Sequence, residues 1–224
     1  MPARSYGHYC PVAKTLELVG ERWTLLIVRE LLLGPLRFTD LDAALEGIPR
    51  NLLADRLRDL EAHGLVVRKV LPPPAARSVY ELTAAGRELM PVLGDLARWG
   101  LKHLDPPGPG EKVSSAMAIL AGLVAHVRLP SAGSDEEAYR FDVEGRVVNL
   151  RLAQDRLAFE PSATEPDLVV SATAAALLRL RLGSESVADA VASGRLRFTP
   201  DDPVRIARFL DRFSLPSSTT TEGR

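Results

Sequence analysis

The chain has one cysteine in 224 residues, Cys10, so no disulfide can form within it and no cysteine metal cluster can assemble from a single copy. That thiol is left free or bonded to another molecule. Histidine is nearly as sparse: His8, His63, His103 and His126 stand far apart, with no ligand-spaced pair. There is also no nucleophile motif and no glycine-rich phosphate loop, so the side chains from which catalytic sites are built are not grouped in the sequence. The expectation is a protein that is not an enzyme and takes no cofactor and no metal. The apolar runs are too short to span a bilayer, and the first ten residues, with Arg4, hold no apolar stretch of the kind a secretion signal needs. No membrane partner is expected, and the expected location is the cytoplasm.

What the chain does have is 46% hydrophobic and 25% charged residues, a balance that fits one large or two small globular domains. Its net charge of −1 gives no global sign of a polyanionic partner. The local distribution says more. Between positions 49 and 78, Arg50, Arg56, Arg58, Arg68, Lys69 and Arg77 face only Asp55, Asp59 and Glu61. Lysine occurs only at positions 14, 69, 102 and 112, so the basic surface is mostly arginine, whose planar fork matches phosphate and guanine.

That basic stretch contains a well-bounded helix. Leu53, Leu57 and Leu60 fall at i, i+4 and i+7 and form a buried stripe, while Arg50, Asn51, Ala54, Asp55 and Arg58 look outward. Pro49 suits a first helical position and Gly64 a C-terminal stop. Before it, Pro11 opens a short helix carrying Val12, Leu16 and Val19, and the apolar segment Glu21 to Leu33 with Trp23 as a core anchor ends at Gly34-Pro35. Thr39 then caps a short helix, Asp40 to Leu45, and Glu46-Gly47 turns the chain into the basic helix. After it, Leu65 to Val70 and Ser78 to Leu82 read as strands of a hairpin whose tip, Pro72 to Arg77, holds three prolines that no strand could accommodate. Helix, turn, helix and hairpin make a winged helix-turn-helix. Thr83 caps a long amphipathic helix, Ala84 to Leu104, which Pro91 should kink, and Trp99 on it has two readings, interface anchor or core.

These residues resemble the HxlR-type winged-helix regulators of bacterial transcription. The matching pieces are Cys10-Pro11-Val12, Leu18 to Ile27, Leu31 to Gly34 with Arg37-Phe38, Arg56 to Glu61, Gly64-Leu65-Val66, Tyr80, Leu82-Thr83, Gly86, Leu96 and Trp99-Gly100, together spanning about residues 10 to 100. The resemblance implies a regulator that binds double-stranded DNA. Pro49 and Ala54 stand where such regulators usually carry Ser or Thr, and Asn51 where a basic residue is common, so fewer phosphate contacts are expected. The expected DNA-facing set is Thr39, Arg50, Asn51, Arg56, Arg58, Lys69 and Arg77. Arg50, Asn51 and Arg58 would meet base edges, and Lys69 and Arg77 would meet phosphate or the minor groove beside the wing. Arg56 also has a structural reading, an ion pair to Asp59 or Glu61. One such helix reads too few base pairs, so a homodimer on an inverted repeat is expected, joined through the Ala84 to Leu104 helix and the first helix. In some HxlR-like regulators the cysteine matching Cys10 senses electrophiles or oxidants. Here the helix beginning at Pro11 turns its positive end to that thiol. The alternative is that Cys10 is a small residue preceding a helix.

Asp105 to Gly110, rich in proline and glycine, cannot continue a helix and marks a linker. The expected organisation is a DNA-binding and dimerisation domain over 1–105, a linker over 106–112, a second domain over 113–215 and a disordered tail over 216–224. In the second domain Ser114 or Ser115 caps a helix from Ala116 to Val127, and strands at 139–143 and 146–152 turn about Glu144-Gly145. Further strands are expected at Leu157 to Glu160, Asp167 to Ser171 and Arg195 to Phe198, with helices at Ala172 to Leu182, Val187 to Ala192 and Pro203 to Phe213. This half resembles the sterol-carrier-protein domain on the strength of Asp167 to Ala172, Ala188 to Gly194, Arg195 to Phe198 and Phe209 to Phe213. The fold class is therefore α+β: a winged helix-turn-helix followed by a sterol-carrier-like domain with an antiparallel sheet and helices. The resemblance implies an apolar cavity for an apolar small-molecule effector, with Met117, Leu120, Leu123, Val124, Phe141, Phe159, Leu177 and Leu180 either lining it or simply forming packed core. Two other functions stay open: a lipid or hydrophobic-metabolite carrier whose first half serves assembly, and a redox-sensing regulator acting through Cys10.

Overall fold

A computed structural model describes residues 6–72, 77–103, 105, 112–131, 135–154, 156–160 and 165–215. The proline tip at 73–76, most of the linker, Leu104, Asp155 and the tail from 216 lie outside the described residues. The chain divides into two compact units between Leu93 and Gly94.

The first unit begins with α1 (Pro11–Val19) and α2 (Thr24–Leu32), followed by α3 (Phe38–Ala44), α4 (Arg50–Ala62), the antiparallel hairpin β1 (Val66–Val70) and β2 (Ser78–Leu82), and α5 (Ala84–Arg87). Its core is aliphatic: Ile27, Leu41, Leu53, Leu57, Leu60 and Leu82 are almost wholly buried. Several element starts differ from the sequence reading. Trp23 precedes α2 in the left-handed region (φ 79°) and is only half-buried, with the Arg22 guanidinium 5.3 Å from its ring centroid. The helix expected from Asp40 starts earlier, at Phe38, so Thr39 lies inside it and does not cap it. The Asp40 carboxylate accepts the Arg37 backbone N–H (3.1 Å) and closes the first turn there. Pro49 is the N-cap of α4 and not its first residue, because its backbone is extended while its carbonyl already accepts the Leu53 N–H (3.0 Å).

The long helix expected after Thr83 is two helices. Thr83 does cap α5 through the Gly86 N–H (3.1 Å), but the chain turns at Glu88-Leu89 before α6 (Met90–His103) begins. Pro91 is the cause: without an N–H and with its ring against the preceding turn, it is tolerated at the start of a helix and not within one. The division between the two units falls inside α6.

The second unit adds α7 (Ser115–Gly122), β3 (Glu137–Val143), β4 (Arg146–Leu152), β5 (Leu157–Glu160), β6 (Leu168–Ala172), α8 (Ala174–Arg181), α9 (Val187–Ala192), β7 (Leu196–Thr199) and α10 (Pro203–Arg212). Ser114 caps α7, which is shorter than the expected Ala116 to Val127 helix; a 3-10 turn over Val124–His126 replaces its end. The Gly122 carbonyl accepts the Arg181 guanidinium (2.8 Å) in place of a further helical N–H. β3 and β4 turn at Glu144 (φ 54°) and Gly145 (φ 82°), the two positive-φ residues that a tight hairpin requires.

The sheet runs β5-β4-β3-β6-β7 and is mixed, which corrects the antiparallel expectation: β3 and β6 are parallel. Three strands form a meander, and the fourth then enters on the far side of β3 by a crossover, which leaves β3 and β6 pointing the same way. Strand alternation puts Tyr139, Phe141, Val148, Leu150, Leu168, Val170 and Phe198 on one buried face. Phe209 and Phe213 of α10 and its end pack there, the Phe141 centroid lying 6.2 and 5.6 Å from theirs. A buried polar knot closes this core: Glu137 accepts from the Tyr139 hydroxyl (2.7 Å) and from Arg212 (2.9 Å). Burial and the adjacent carboxylate hold the Tyr139 phenol well above its usual range, so it stays protonated.

Candidate nucleic-acid interface

The leucine stripe of α4 is 0–1% exposed, so the core fixes which side of the helix reaches solvent. Directly opposite that stripe lie Asn51, Asp55 and Arg58, at i, i+4 and i+7. Arg58 is well exposed and ion-paired to Asp55, one turn behind it. Arg50, at the first position, turns aside toward α3. It meets Asp42 at 3.4 Å, and its guanidinium lies 5.6 Å from the Phe38 ring centroid.

The remaining expected residues fall into two groups. Arg56 is tucked against the body of the unit, its side chain 18% exposed, held by Glu21 (3.0 Å), Asp59 (3.2 Å) and the Arg22 carbonyl (3.4 Å). The Asp59 pair is one of the two the sequence suggested; Glu21 takes the place of Glu61. Lys69 and Arg77 lie on the hairpin with Thr39 exposed on α3. Lys69 meets Glu81 at 2.8 Å and Arg87 meets the same carboxylate at 2.6 Å. The hydrogen bond from Lys69, with the charges of Lys69 and Arg87, outweighs burial and holds Glu81 below the usual carboxylate range. Sequence reasoning counted Arg68 in the basic stretch but left it out of the DNA-facing set; it donates to Ser78 across the hairpin (3.3 Å). The carboxylates Asp42 and Glu81 were passed over. Pairs between elements leave no spacing signal; the i, i+3 relation of Arg56 and Asp59, within one helix, was readable.

Away from this surface, Cys10 is partly buried at the start of α1. Leu120, Leu123, Val124, Phe141, Leu177 and Leu180 are buried in the second unit, while Met117 and Phe159 are half-buried; Phe159 lies opposite Leu150 on the inner face of edge strand β5. Among the described residues no group of three His, Cys, Asp or Glu side chains could hold a metal ion, and no helix is long and apolar enough to cross a membrane.

A helix-turn-helix followed by a two-stranded wing, with arginines on the second helix, is the architecture of a DNA-binding transcriptional regulator. Residues 18–107 match the HxlR-like helix-turn-helix family. The chain is 39% identical over 98 residues to YvaP, an HTH-type transcriptional regulator of Bacillus subtilis, covering 43% of this chain and 91% of that one. It is 47% identical over 103 residues to the HTH-type transcriptional regulator Mb3122 of Mycobacterium bovis, covering 46% of this chain and 65% of that one. The solved structure of the reduced form of the transcriptional regulator YodB from B. subtilis is 32% identical and covers 45% of this chain and all of that one, with a TM-score of 0.40. The chain belongs to the HxlR-like helix-turn-helix family.

Proposed function

We propose that the protein acts as a homodimer on an inverted repeat, with α4 of each copy in the major groove. The observation that carries this reading is the outward stripe of α4, set by a leucine core behind it. Asn51 and Arg58 meet base edges, and Arg50 meets a base or phosphate at the helix start. Thr39, Lys69 and Arg77 position the backbone, and Arg56 holds α4 in place. Support for the dimer comes from the apolar side chains α1 and α6 leave in solvent, among them Val12, Leu16, Val92, Leu96 and Trp99.

Residues 113–215 form a sterol-carrier-like effector domain in this reading, joined by a linker over 106–112 to the DNA-binding part, 1–105. An apolar small molecule bound beside the inner sheet face changes DNA affinity, and a difference of about 1.4 kcal/mol between two states would shift it tenfold. Phe159 and Met117, the half-buried members of the expected lining, are where such a ligand would enter.

Titration of the purified protein against its own upstream DNA and against random duplex, at several salt concentrations, tests the regulator. Specific binding that weakens steeply with salt is expected. Equal affinity for both duplexes would overturn the α4 assignment. Repeating the titration with apolar compounds tests the effector: binding that leaves DNA affinity unchanged would remove the coupling.

A further inference from the structure

At about 100° per residue, Asn51, Asp55 and Ala62 lie within about 30° of the direction opposite the buried Leu53, Leu57 and Leu60, and Arg58 lies beyond Asn51 on the same face. The charged group nearest the centre of the outward face of α4 is therefore a carboxylate, Asp55. It is half-exposed and ion-paired to Arg58, on the same face. If α4 lies in the major groove, as proposed above and as this inference requires, Asp55 faces base edges between two walls of phosphate. An uncompensated carboxylate there would weaken binding to every sequence alike.

The geometry points to Asp55 as a specificity-determining residue that accepts a hydrogen bond from cytosine N4, while its partner Arg58 donates to a neighbouring guanine. Of the major-groove edges, cytosine offers a lone amino donor. Adenine sets its amino group beside the N7 acceptor, which repels a carboxylate but pairs well with an amide. Guanine and thymine present only acceptors on their polar edges. The carboxylate is thus complementary to one base and penalised by the other three. Arg58 adds to this in two ways: it holds Asp55 across the face of the helix, and its remaining N–H groups fit the O6 and N7 of guanine. Arg50 is not a member of this pair, since its contacts with Asp42 and Phe38 turn it toward α3 at the helix start.

Selection of binding sites from a randomised duplex pool tests this with the full-length chain, using wild type, Asp55→Ala, Asp55→Asn and Arg58→Ala. The wild type is expected to select a cytosine at one position of each half-site with a guanine close by. Asp55→Ala should keep the rest of the selected site, lose about tenfold of the discrimination at the cytosine, and bind unselected duplex more tightly because a phosphate-repelling charge is gone. Asp55→Asn, nearly isosteric, should turn the preferred base at that position to adenine. Arg58→Ala should relax the guanine. If both Asp55 variants select the wild-type base at every position, the inference is overturned while the placement of α4 stands. If the wild type itself selects no sequence, the placement of α4 falls and the inference with it.

Discussion

Single residues in the second unit show how tightly charge is fitted to packing. The Arg181 guanidinium is largely buried, and backbone carbonyls of Gly122, Phe213 and Ser214 accept from it, which ties the ends of α7 and α10 together. Burial lowers its pKa to about 10, so it remains a cation at neutral pH. His126 sits nearby with a buried Nδ1 that finds no hydrogen-bond partner among the described residues. Burial first, then the charges of Arg181 and Arg98, hold its pKa down to about 4 from the usual 6.5. The folded chain therefore prefers neutral His126, and the unfolded chain binds the proton more readily. The stability from this residue is complete above pH 6.5 and is lost as pH falls towards 4. His126→Gln should flatten the fall of the urea midpoint between those values; an unchanged slope would place the acid sensitivity elsewhere. In the first unit, a Cβ on Gly86 would stand 2.1 Å from the Leu65 carbonyl oxygen and 3.0 Å from a Leu82 methyl. Gly86→Ala should cost about 1–3 kcal/mol in urea unfolding, the usual penalty of overpacking.

Among the elements, α4 has a buried face that serves folding and an exposed face to which recognition is assigned in the proposal. Leu57→Ala should cost about 2–5 kcal/mol, because a fully buried side chain leaves a cavity under the helix. Arg58→Ala, on the exposed face, should leave the denaturation midpoint within the range of ordinary surface changes, about half a kcal/mol, while weakening specific DNA binding. Circular dichroism and a DNA titration on the same samples distinguish the two, and equal stability losses would refute the division. The faces of α4 were legible in the sequence because a 3.6-residue period writes burial directly into the order of leucines. The turn at Glu144-Gly145 was legible for a similar reason, since a tight hairpin turn demands particular backbone angles at two adjacent residues. The split into α5 and α6 was only half legible: Pro91 announced a disturbance, but whether a helix bends or stops depends on the turn at Glu88-Leu89. The parallel pairing of β3 with β6 left no trace, because strand periodicity is identical for either direction. On the basic surface the cations could be found by composition, whereas Arg50 with Asp42, Arg56 with Glu21 and Lys69 with Glu81 exist only once separate elements have met.

For the whole molecule, the question is how one short helix yields a useful operator. In the proposed reading about three or four side chains of α4 reach base edges, and each good contact discriminates by about 1–3 kcal/mol, so a single copy would recognise too many sites. A two-fold dimer doubles the site and fixes two half-sites about 34 Å apart. The surface to build it is present on α6, where Val92, Leu96 and Trp99 fall at i, i+4 and i+7 and are 44%, 50% and 59% exposed. Trp99 is 59% exposed and, among the described residues, its ring contact is with His103, their centroids 5.0 Å apart; it is not a core side chain, and the interface role is the one the proposal gives it. Large aromatic side chains of this kind anchor interfaces because they remove the most apolar area from water for the fewest frozen torsions. An aspartate at Leu96 would have to be desolvated against a second apolar helix on association, yet in the separate chain it would stay in water. Leu96→Asp should therefore leave the unfolding midpoint of the separate chain nearly unchanged, convert the protein to a monomer by sedimentation, and reduce binding on a full inverted repeat to that on an isolated half-site. A Leu96→Asp protein that still sediments as a dimer would move the interface away from α6, and one that becomes monomeric yet binds the full repeat as before would remove the need for a dimer.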